Sequence, residues 1–424
     1  MKTPQVVIIG GGFGGLTVVQ SLRRAKVEVV LIDRTNHHLF QPLLYQVATA
    51  ALSPADIASP LRSVLRSQRN VQVVMDEVLA IDKERRLVAL AEGEAIPFDY
   101  LIVAPGSRHW YFGRDGWERF APGLKTLSDA LEIRERLILS FERAERVLHR
   151  PEARKYLTFV IVGGGPTGVE LAGALAEIAR EAVVRDYAAL RAEDFTIMLL
   201  EGSGSILPTY PSTLRDKAKQ FLEELGVVVR VNTKVTEMTE KGVYAENTLI
   251  ETVNVIWAAG NRASPLLESL KVPLDQQGRV IVQRDLTIPG DPGIFVIGDA
   301  ACSDDGFGKA LPPLAPVAMQ QARYVASLIQ HKMGSETRRP FVYRDRGTMT
   351  TVGRAKAVAE IGQLRLSGLI AWLLWSLVHI FFLIGFRNRL RVMSEWVWYY
   401  FTYKPGAQLI YWKTRRRDKD MGPG

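Results

Sequence analysis

One cysteine, Cys302, is all that 424 residues contain. A lone thiol can form neither an internal disulfide nor a CxxC redox pair. That fits a reducing compartment and excludes dithiol chemistry. Histidine is scarce too. Of the six, His37 and His38 are adjacent and the rest are scattered, so no metal site is expected. His109 and His379 read as ordinary polar residues. No apolar signal region precedes the first strand, which follows Met1-Lys2-Thr3-Pro4, so the bulk of the protein is expected in the cytosol. Acids are few at the C-terminus. From Ile361 to Gly424 there are ten Lys/Arg against three acids, which is +7 of the total +9. Five of the eight tryptophans (Trp372, Trp375, Trp396, Trp398 and Trp412) fall in the same stretch.

What is present is a globular composition, 47% hydrophobic and 23% charged. The length exceeds one ordinary domain, so two or three core-forming units are expected. Val6 to Ile9 is a short β-branched run that reads as a buried strand. Gly10-Gly-Gly-Phe-Gly-Gly15 follows, then a helical stretch, then a strand from Val27 that ends in Asp33. The order is strand, glycine loop, helix, strand, acid. It recurs once: a strand from Phe159 to Val162, Gly163-Gly-Gly-Pro-Thr-Gly168, a helix from Val169, and a strand from Ile197 that ends in Glu201. Two copies indicate a duplicated binding unit and not a solenoid.

Each copy has the spacing of a dinucleotide site. Gly10, Gly12 and Gly15 supply the tight turn, the backbone approach of a pyrophosphate and the close helix packing. The helix N-terminus offers unpaired N–H groups to phosphate. Asp33 stands where an acid bonds ribose hydroxyls. Gly163, Gly165, Gly168 and Glu201 repeat the set. A carboxylate at Glu201 favours the free 2′-OH of NADH and repels the extra phosphate of NADPH, unless that side chain faces solvent and the 2′ site lies elsewhere. Chain order alone does not say which copy takes which dinucleotide. The strand ending in Gly298-Asp299 can place a carboxylate near a flavin's ribityl or pyrophosphate region and returns the chain to the first copy, which is therefore assigned to FAD.

These motifs resemble the two-dinucleotide flavoprotein superfamily, and most closely the type II NADH:quinone oxidoreductases. The resemblance runs through Val7–Gly15, Phe40-Gln-Pro-Leu-Leu-Tyr-Gln-Val-Ala48, Val103–Ser107, Tyr111–Gly113, Val162–Ala172, Trp257–Gly260, Gly298–Ala300, Gln320-Gln321 and the aromatic, basic stretch from Ala371 to Arg391. It implies that Gly10, Gly12, Gly15, Asp33, Gly106 and Asp299 hold FAD, with Gln41, Pro42, Gln320 and Gln321 near the flavin. It implies that Gly163, Gly165, Gly168, Glu201 and Gly260 hold NADH. Glu170 and Gln320 become the candidate catalytic residues. Glu170 matches a family glutamate placed near the nicotinamide and flavin rings; the plainer reading is a first-turn acid that satisfies the helix dipole. Pro316 departs from the pattern, standing where many members carry a glutamine near the quinone. Either the headgroup is held by other side chains here or the acceptor differs.

The expected fold is α/β: two Rossmann-like dinucleotide-binding domains plus a C-terminal amphipathic membrane-anchoring helical segment. The expected division is 1–118 and 278–345 for the FAD domain, 119–277 for the NADH domain and 346–424 for the anchor. Leu366 to Phe386 approaches the length of a transmembrane helix. Its flanks are basic on both sides (Arg354, Lys356 and Arg365 before; Arg387, Arg389 and Arg391 after), so a span would leave one flank on the wrong side. Helices lying in the interface of an anionic membrane, anchored by Trp372, Trp375, Trp396 and Trp398, fit better. A buried helix pair in a homodimer is a further reading.

Nucleic acid would not explain the apolar run. The expected partners are therefore NADH, a membrane quinone and an anionic lipid surface, at the cytoplasmic face of the membrane. The competing functions are a soluble flavin reductase that donates to ferredoxin or another acceptor, and a non-catalytic dinucleotide-binding signalling protein. Disulfide reductases and sulfide:quinone oxidoreductases need paired cysteines, which the chain lacks.

Overall fold

The computed structural model describes residues 2–306, 308, 310–402 and 409–410. Lys404, Trp412 and the charged residues from Lys413 to Asp420, all counted above in the basic C-terminus, lie outside the described residues. In chain order the elements used below begin with β1 (Gln5–Ile9), α1 (Phe13–Ser21), β2 (Glu28–Asp33), β3 (Val71–Met75), β4 (Tyr100–Val103) and α2 (Leu127–Arg146). They continue with β5 (Thr158–Val162), α3 (Pro166–Glu177), β6 (Thr196–Leu200), β7 (Val227–Arg230), β8 (Asn254–Trp257), β9 (Thr287–Ile288), β10 (Asp291–Val296) and α4 (Ala315–Gln330). Last come β11 (Thr348–Gly353), β12 (Lys356–Ile361), β13 (Leu364–Ser367), α5 (Leu369–Phe382) and α6 (Phe386–Thr402).

The chain folds into two compact units. The first takes the start of the chain to Phe40, then Ala58–Trp110 and Gly260–Arg346; the second takes Gln41–Ile57, Tyr111–Ala259 and Gly347 onward. These bounds differ from the division expected above in three ways, each with a visible cause. Ser107–His109 pairs antiparallel with Asn261–Ala263, which draws the chain back into the first unit at Gly260 and not at 278. Gln41–Ile57 makes an excursion into the second unit, where its short helix Leu44–Ala48 packs against α2 and α3. The C-terminal region packs through β11 onto α3 and so belongs to the second unit.

The first unit is built on a six-stranded sheet in the order β9-β10-β4-β1-β2-β3. All pairs are parallel except β9 with β10. Val6 to Ile9 and Val29 to Ile32 are buried on both faces, as central strands of a doubly covered parallel sheet must be. Ile9, Val103 and Val296 lie at one level across β1, β4 and β10. The loops after these strands therefore emerge together at the carboxyl edge, where open α/β sheets bind ligands.

The second unit repeats the plan with four parallel strands in the order β7-β6-β5-β8. All five residues of β5 are buried. Helix α2 starts at a capping box in which the Thr126 hydroxyl accepts the Asp129 amide while the Asp129 carboxylate accepts the Thr126 amide. The antiparallel sheet β11-β12-β13 and helices α5 and α6 complete the unit.

Candidate functional site

The two glycine loops are geometric copies. Gly10 has φ +101° and Gly163 φ +113°, a region that L side chains avoid. A Cβ on Gly10 would overlap the Ala104 carbonyl oxygen, and one on Gly163 would stand 2.7 Å from the Ala258 carbonyl carbon. A Cβ on Gly15 would overlap the Gly10 carbonyl oxygen, and one on Gly168 that of Gly163. Gly12 and Gly165, the residues just before α1 and α3, face open space, with no atom within 4 Å of an added Cβ. The first and third glycines thus let backbone meet backbone, and the second leaves room for a cradle at a helix N-terminus. That cradle is the shape and charge a pyrophosphate requires, so both loops fit a dinucleotide.

The acids that end the second strands are also matched. Asp33 Oδ2 accepts the Gly11 amide at 2.6 Å, and Oδ1 accepts from the Thr35 amide and hydroxyl at 2.7 Å. Glu201 Oε2 accepts the Gly164 amide at 2.6 Å, and Oε1 the Ser203 amide at 2.7 Å. Each carboxylate is fixed at the lip of its own loop, so Glu201 does not swing free in solvent.

Other candidates in the first unit gather at the same sheet edge. Gly106 and Gly298 both have positive φ, and open space surrounds Gly106. The Asp299 carboxylate accepts the Ser107 hydroxyl at 2.6 Å. Gln321 is fully buried; its oxygen accepts the Gly298 amide at 2.7 Å and its nitrogen donates to the Ser303 hydroxyl at 2.9 Å. Gln320 is half-buried and its amide clasps the Arg344 backbone, donating to the carbonyl at 2.8 Å and accepting the N–H at 3.0 Å. Gly260, grouped above with the second loop, falls in the first unit, and Gln41, grouped with the first, falls in the second. The Gln41 nitrogen donates to the Lys125 carbonyl at 3.2 Å.

Glu170 lies on a cavity of about 80 Å³ within the second unit. It is the fifth residue of α3. It therefore sits beyond the first turn, where a helix-dipole role would place it. Burial pushes its carboxyl well above the ordinary range, opposed by a hydrogen bond from the Thr351 backbone. Glu177, seven residues on, shares the helix face and lines the same cavity. Its carboxyl is pushed up to about 7, chiefly by burial. The facing wall is aromatic: Trp375, Trp396 and Tyr45. Trp396 Nε1 donates to Gln46 Oε1 at 2.7 Å, and Gln46 Nε2 donates to the Tyr45 hydroxyl at 2.8 Å.

Trp375 is only 2% exposed and stacks on His379 and Trp396, so it is not an interfacial residue as expected. Burial lowers the His379 ring to about 4, which keeps it neutral near pH 7. Trp372 and Trp396 are half-buried, and Trp398 alone of the four is mostly exposed.

The apolar run is not one helix. Leu366 and Ser367 end β13, Gly368 turns with φ +75°, and α5 has 14 residues, a length of about 21 Å. Among the described residues no helix is long and apolar enough to cross a membrane. One face of α5 packs on the unit through Ala371 and Trp375. The other shows Ile370, Leu373, Leu377 and Phe381 at helical spacing, each more than half exposed. Helix α6 adds Phe386, Val397 and Trp398.

The profile of the Pyridine nucleotide-disulphide oxidoreductase family matches residues 4–322, and that of the NDH2 C-terminal domain matches residues 346–402. The type II NADH:quinone oxidoreductase Ndh of Mycobacterium tuberculosis is 42% identical over 421 residues, covering 96% of this chain and 90% of the relative. NdhA of the same organism, with the same description, is 41% identical over 92% of this chain and 86% of its own length. The chain belongs to the type II NADH:quinone oxidoreductases. Solved structures agree at the level of fold. NDH2 of Plasmodium falciparum in complex with NADH superposes with a TM-score of 0.85 at 20% identity, over 94% of this chain and 99% of that one. The sulfide:quinone oxidoreductase of Aquifex aeolicus gives 0.72 at 18% identity, over 93% and 92%.

For a type II NADH:quinone oxidoreductase of this wider family the single thiol matters. Cys302 is half-buried, burial pushes its pKa up, and it accepts from Arg279 at 3.8 Å. It has no partner thiol and takes no part in dithiol exchange. Glu177, Tyr45 and Gln46 are not marked as site residues by the sequence alone. The i, i+7 spacing of two glutamates on an otherwise apolar helix face was the available signal for Glu177. Tyr45 and Gln46 lay inside the Phe40–Ala48 segment already singled out, with nothing local to separate them from its packing residues.

Proposed function

We propose that the chain oxidises NADH and reduces a membrane quinone through bound FAD, the first glycine loop holding FAD and the second NADH. The observation that carries this is the duplicated cradle, each copy closed by its own carboxylate, together with a carboxylate-bearing aromatic cavity. When bound, FAD supplies the acceptor of NADH's reducing equivalents and the donor to quinone. Gly10, Gly12, Gly15, Asp33, Gly106 and Asp299 would hold it, and Gln321 fixes the Gly298 turn. Gln41 and Gln320 steady neighbouring backbone. Gly163, Gly165, Gly168, Glu201 and Gly260 serve the NADH side, with Glu201 selecting the free 2′-hydroxyl.

The quinone headgroup takes the cavity beside Glu170. Trp375 and Trp396 supply apolar walls, and Glu170, whose carboxyl burial pushes well above the ordinary range, is placed to donate a hydrogen bond to a quinone oxygen. This leaves no need for a glutamine at Pro316. The exposed apolar stripe of α5, with the basic residues of α6, seats the protein on the anionic cytoplasmic face of a membrane without spanning it.

The test is direct. Protein purified in mild detergent should show a flavin spectrum that bleaches with NADH and recovers with a water-soluble quinone. Flavin that no quinone reoxidises would remove the reading. Leu373→Glu with Leu377→Glu should abolish flotation with anionic vesicles while the flavin spectrum stays. If flotation persists and the protein instead changes oligomeric state, the stripe is a contact between copies of the chain.

A further inference from the structure

Quinone reduction takes up two electrons and two protons. NADH supplies both electrons and one proton; the other comes from solvent. A headgroup held in the aromatic cavity needs a route for that proton, and Glu170 is itself half-buried. The route is marked on α3. Glu170, Ala174 and Glu177 line the cavity in succession along one helix face, the two glutamates about 10 Å apart along the axis. Beyond Glu177 the surroundings become charged and exposed. Arg180 is exposed, Glu181 and Arg185 form an exposed ion pair, and the Lys356 ammonium binds Glu224 at 2.7 Å near the surface.

Glu177 is held in place. Its Oε1 accepts the Arg354 backbone N–H, and a Cβ on Gly353 would stand 2.7 Å from that oxygen. Arg354 and Lys356 at the β11–β12 turn favour its ionised form, and Glu181, just beyond α3, opposes it. We propose that Glu177 is the proton relay of the cavity, taking a proton from solvent at the Arg354 end and passing it through water in the cavity to Glu170, which delivers it to the quinone oxygen. Glu177 then regains a proton from solvent, so atoms and charge balance. Burial pushes its carboxyl up to about 7, which suits a group that must both release and recover a proton near neutrality. The proposal rests on the cavity being the quinone site.

The experiment uses detergent-purified holoenzyme and follows its two half-reactions separately by rapid mixing. In Glu177→Gln, reduction of bound FAD by NADH should keep its rate, because no proton on this path is involved. Reoxidation by a water-soluble quinone should slow by about 10²-fold, the low end for a positioned proton donor. The wild-type rate should decline as pH rises through about 7, and the variant's should not. Difference infrared spectra should show a protonated-carboxyl band that titrates in the same range in the wild type and is missing in Glu177→Gln. If that variant fails to fold, Glu177→Asp should give a smaller slowing with a displaced profile. An unchanged rate and profile, or no titrating band, overturns the relay. Ala174→Leu separates this from the reading beneath it. If it raises the quinone KM while Glu177→Gln changes nothing, the relay alone fails; if neither variant affects quinone, the cavity is not the quinone site.

Discussion

Gly173 of α3 lies against Val352 of β11 so closely that an added Cβ would overlap the Val352 carbonyl oxygen. No side-chain rotation relieves a clash with backbone. This contact holds the C-terminal sheet against the helix that carries Glu170 and Glu177, so it sets the width of the cavity. Gly173→Ala should destabilise the protein by about 1–3 kcal/mol, seen as a lowered denaturation midpoint. A midpoint equal to the wild type's would show that the two elements can part without cost.

Gly12 and Gly165 predict the opposite. Their φ is −72° in both, so alanine is conformationally acceptable, and the added methyl enters open space. Gly12→Ala and Gly165→Ala should fold with near wild-type stability and yet fail separately. The first should be purified with depleted FAD; the second should keep its flavin and show a raised KM for NADH. Depletion of flavin by Gly165→Ala in place of Gly12→Ala would reverse the cofactor assignment.

Glu201→Gln retains a side-chain oxygen for the Gly164 amide and loses the charge. The ratio of kcat/KM for NADH over NADPH should fall by about tenfold or more, the value of one charge-assisted hydrogen bond. An unchanged ratio would show that Glu201 does not read the ribose.

The stability of the enzyme should also report Glu177. Its folded carboxyl is raised to about 7 by burial, so the folded state binds the proton more tightly than the unfolded chain does. The stabilisation is complete below the unfolded value, about 4.3, and is lost as pH rises through about 7. Glu177→Gln cannot ionise, so its thermal midpoint should gain on the wild type's across that interval. A constant difference between the two midpoints would place Glu177 in a wetter setting than the structure gives it.

The duplicated strand, loop, helix and acid were legible because their constraints are local. Gly10 and Gly163 must take a positive φ, Gly12 and Gly165 must leave room, and Asp33 and Glu201 come at the end of a strand whose length the pattern shows. The aromatic, basic C-terminus was legible by composition alone. Which of its tryptophans are buried was not, because α5 is apolar on every side and its sequence does not say which face packs. Only the fold placed Trp375 inside and left Leu373 and Leu377 outside.

The same limit applied to the units. The pairing of Ser107–His109 with Asn261–Ala263 joins residues more than 150 positions apart, and no local signal marks Gly260 as the crossing point. Tertiary packing likewise decided that Gln320 clasps Arg344 and that the Gln41–Ile57 excursion joins the second unit. It also brought Glu177, Trp396 and Tyr45 around one cavity. By itself the sequence determined two dinucleotide cradles and their acids, since backbone sterics and strand periodicity act within a few residues. The cavity and its carboxylate line came from contacts between segments hundreds of residues apart, which only the folded chain specifies.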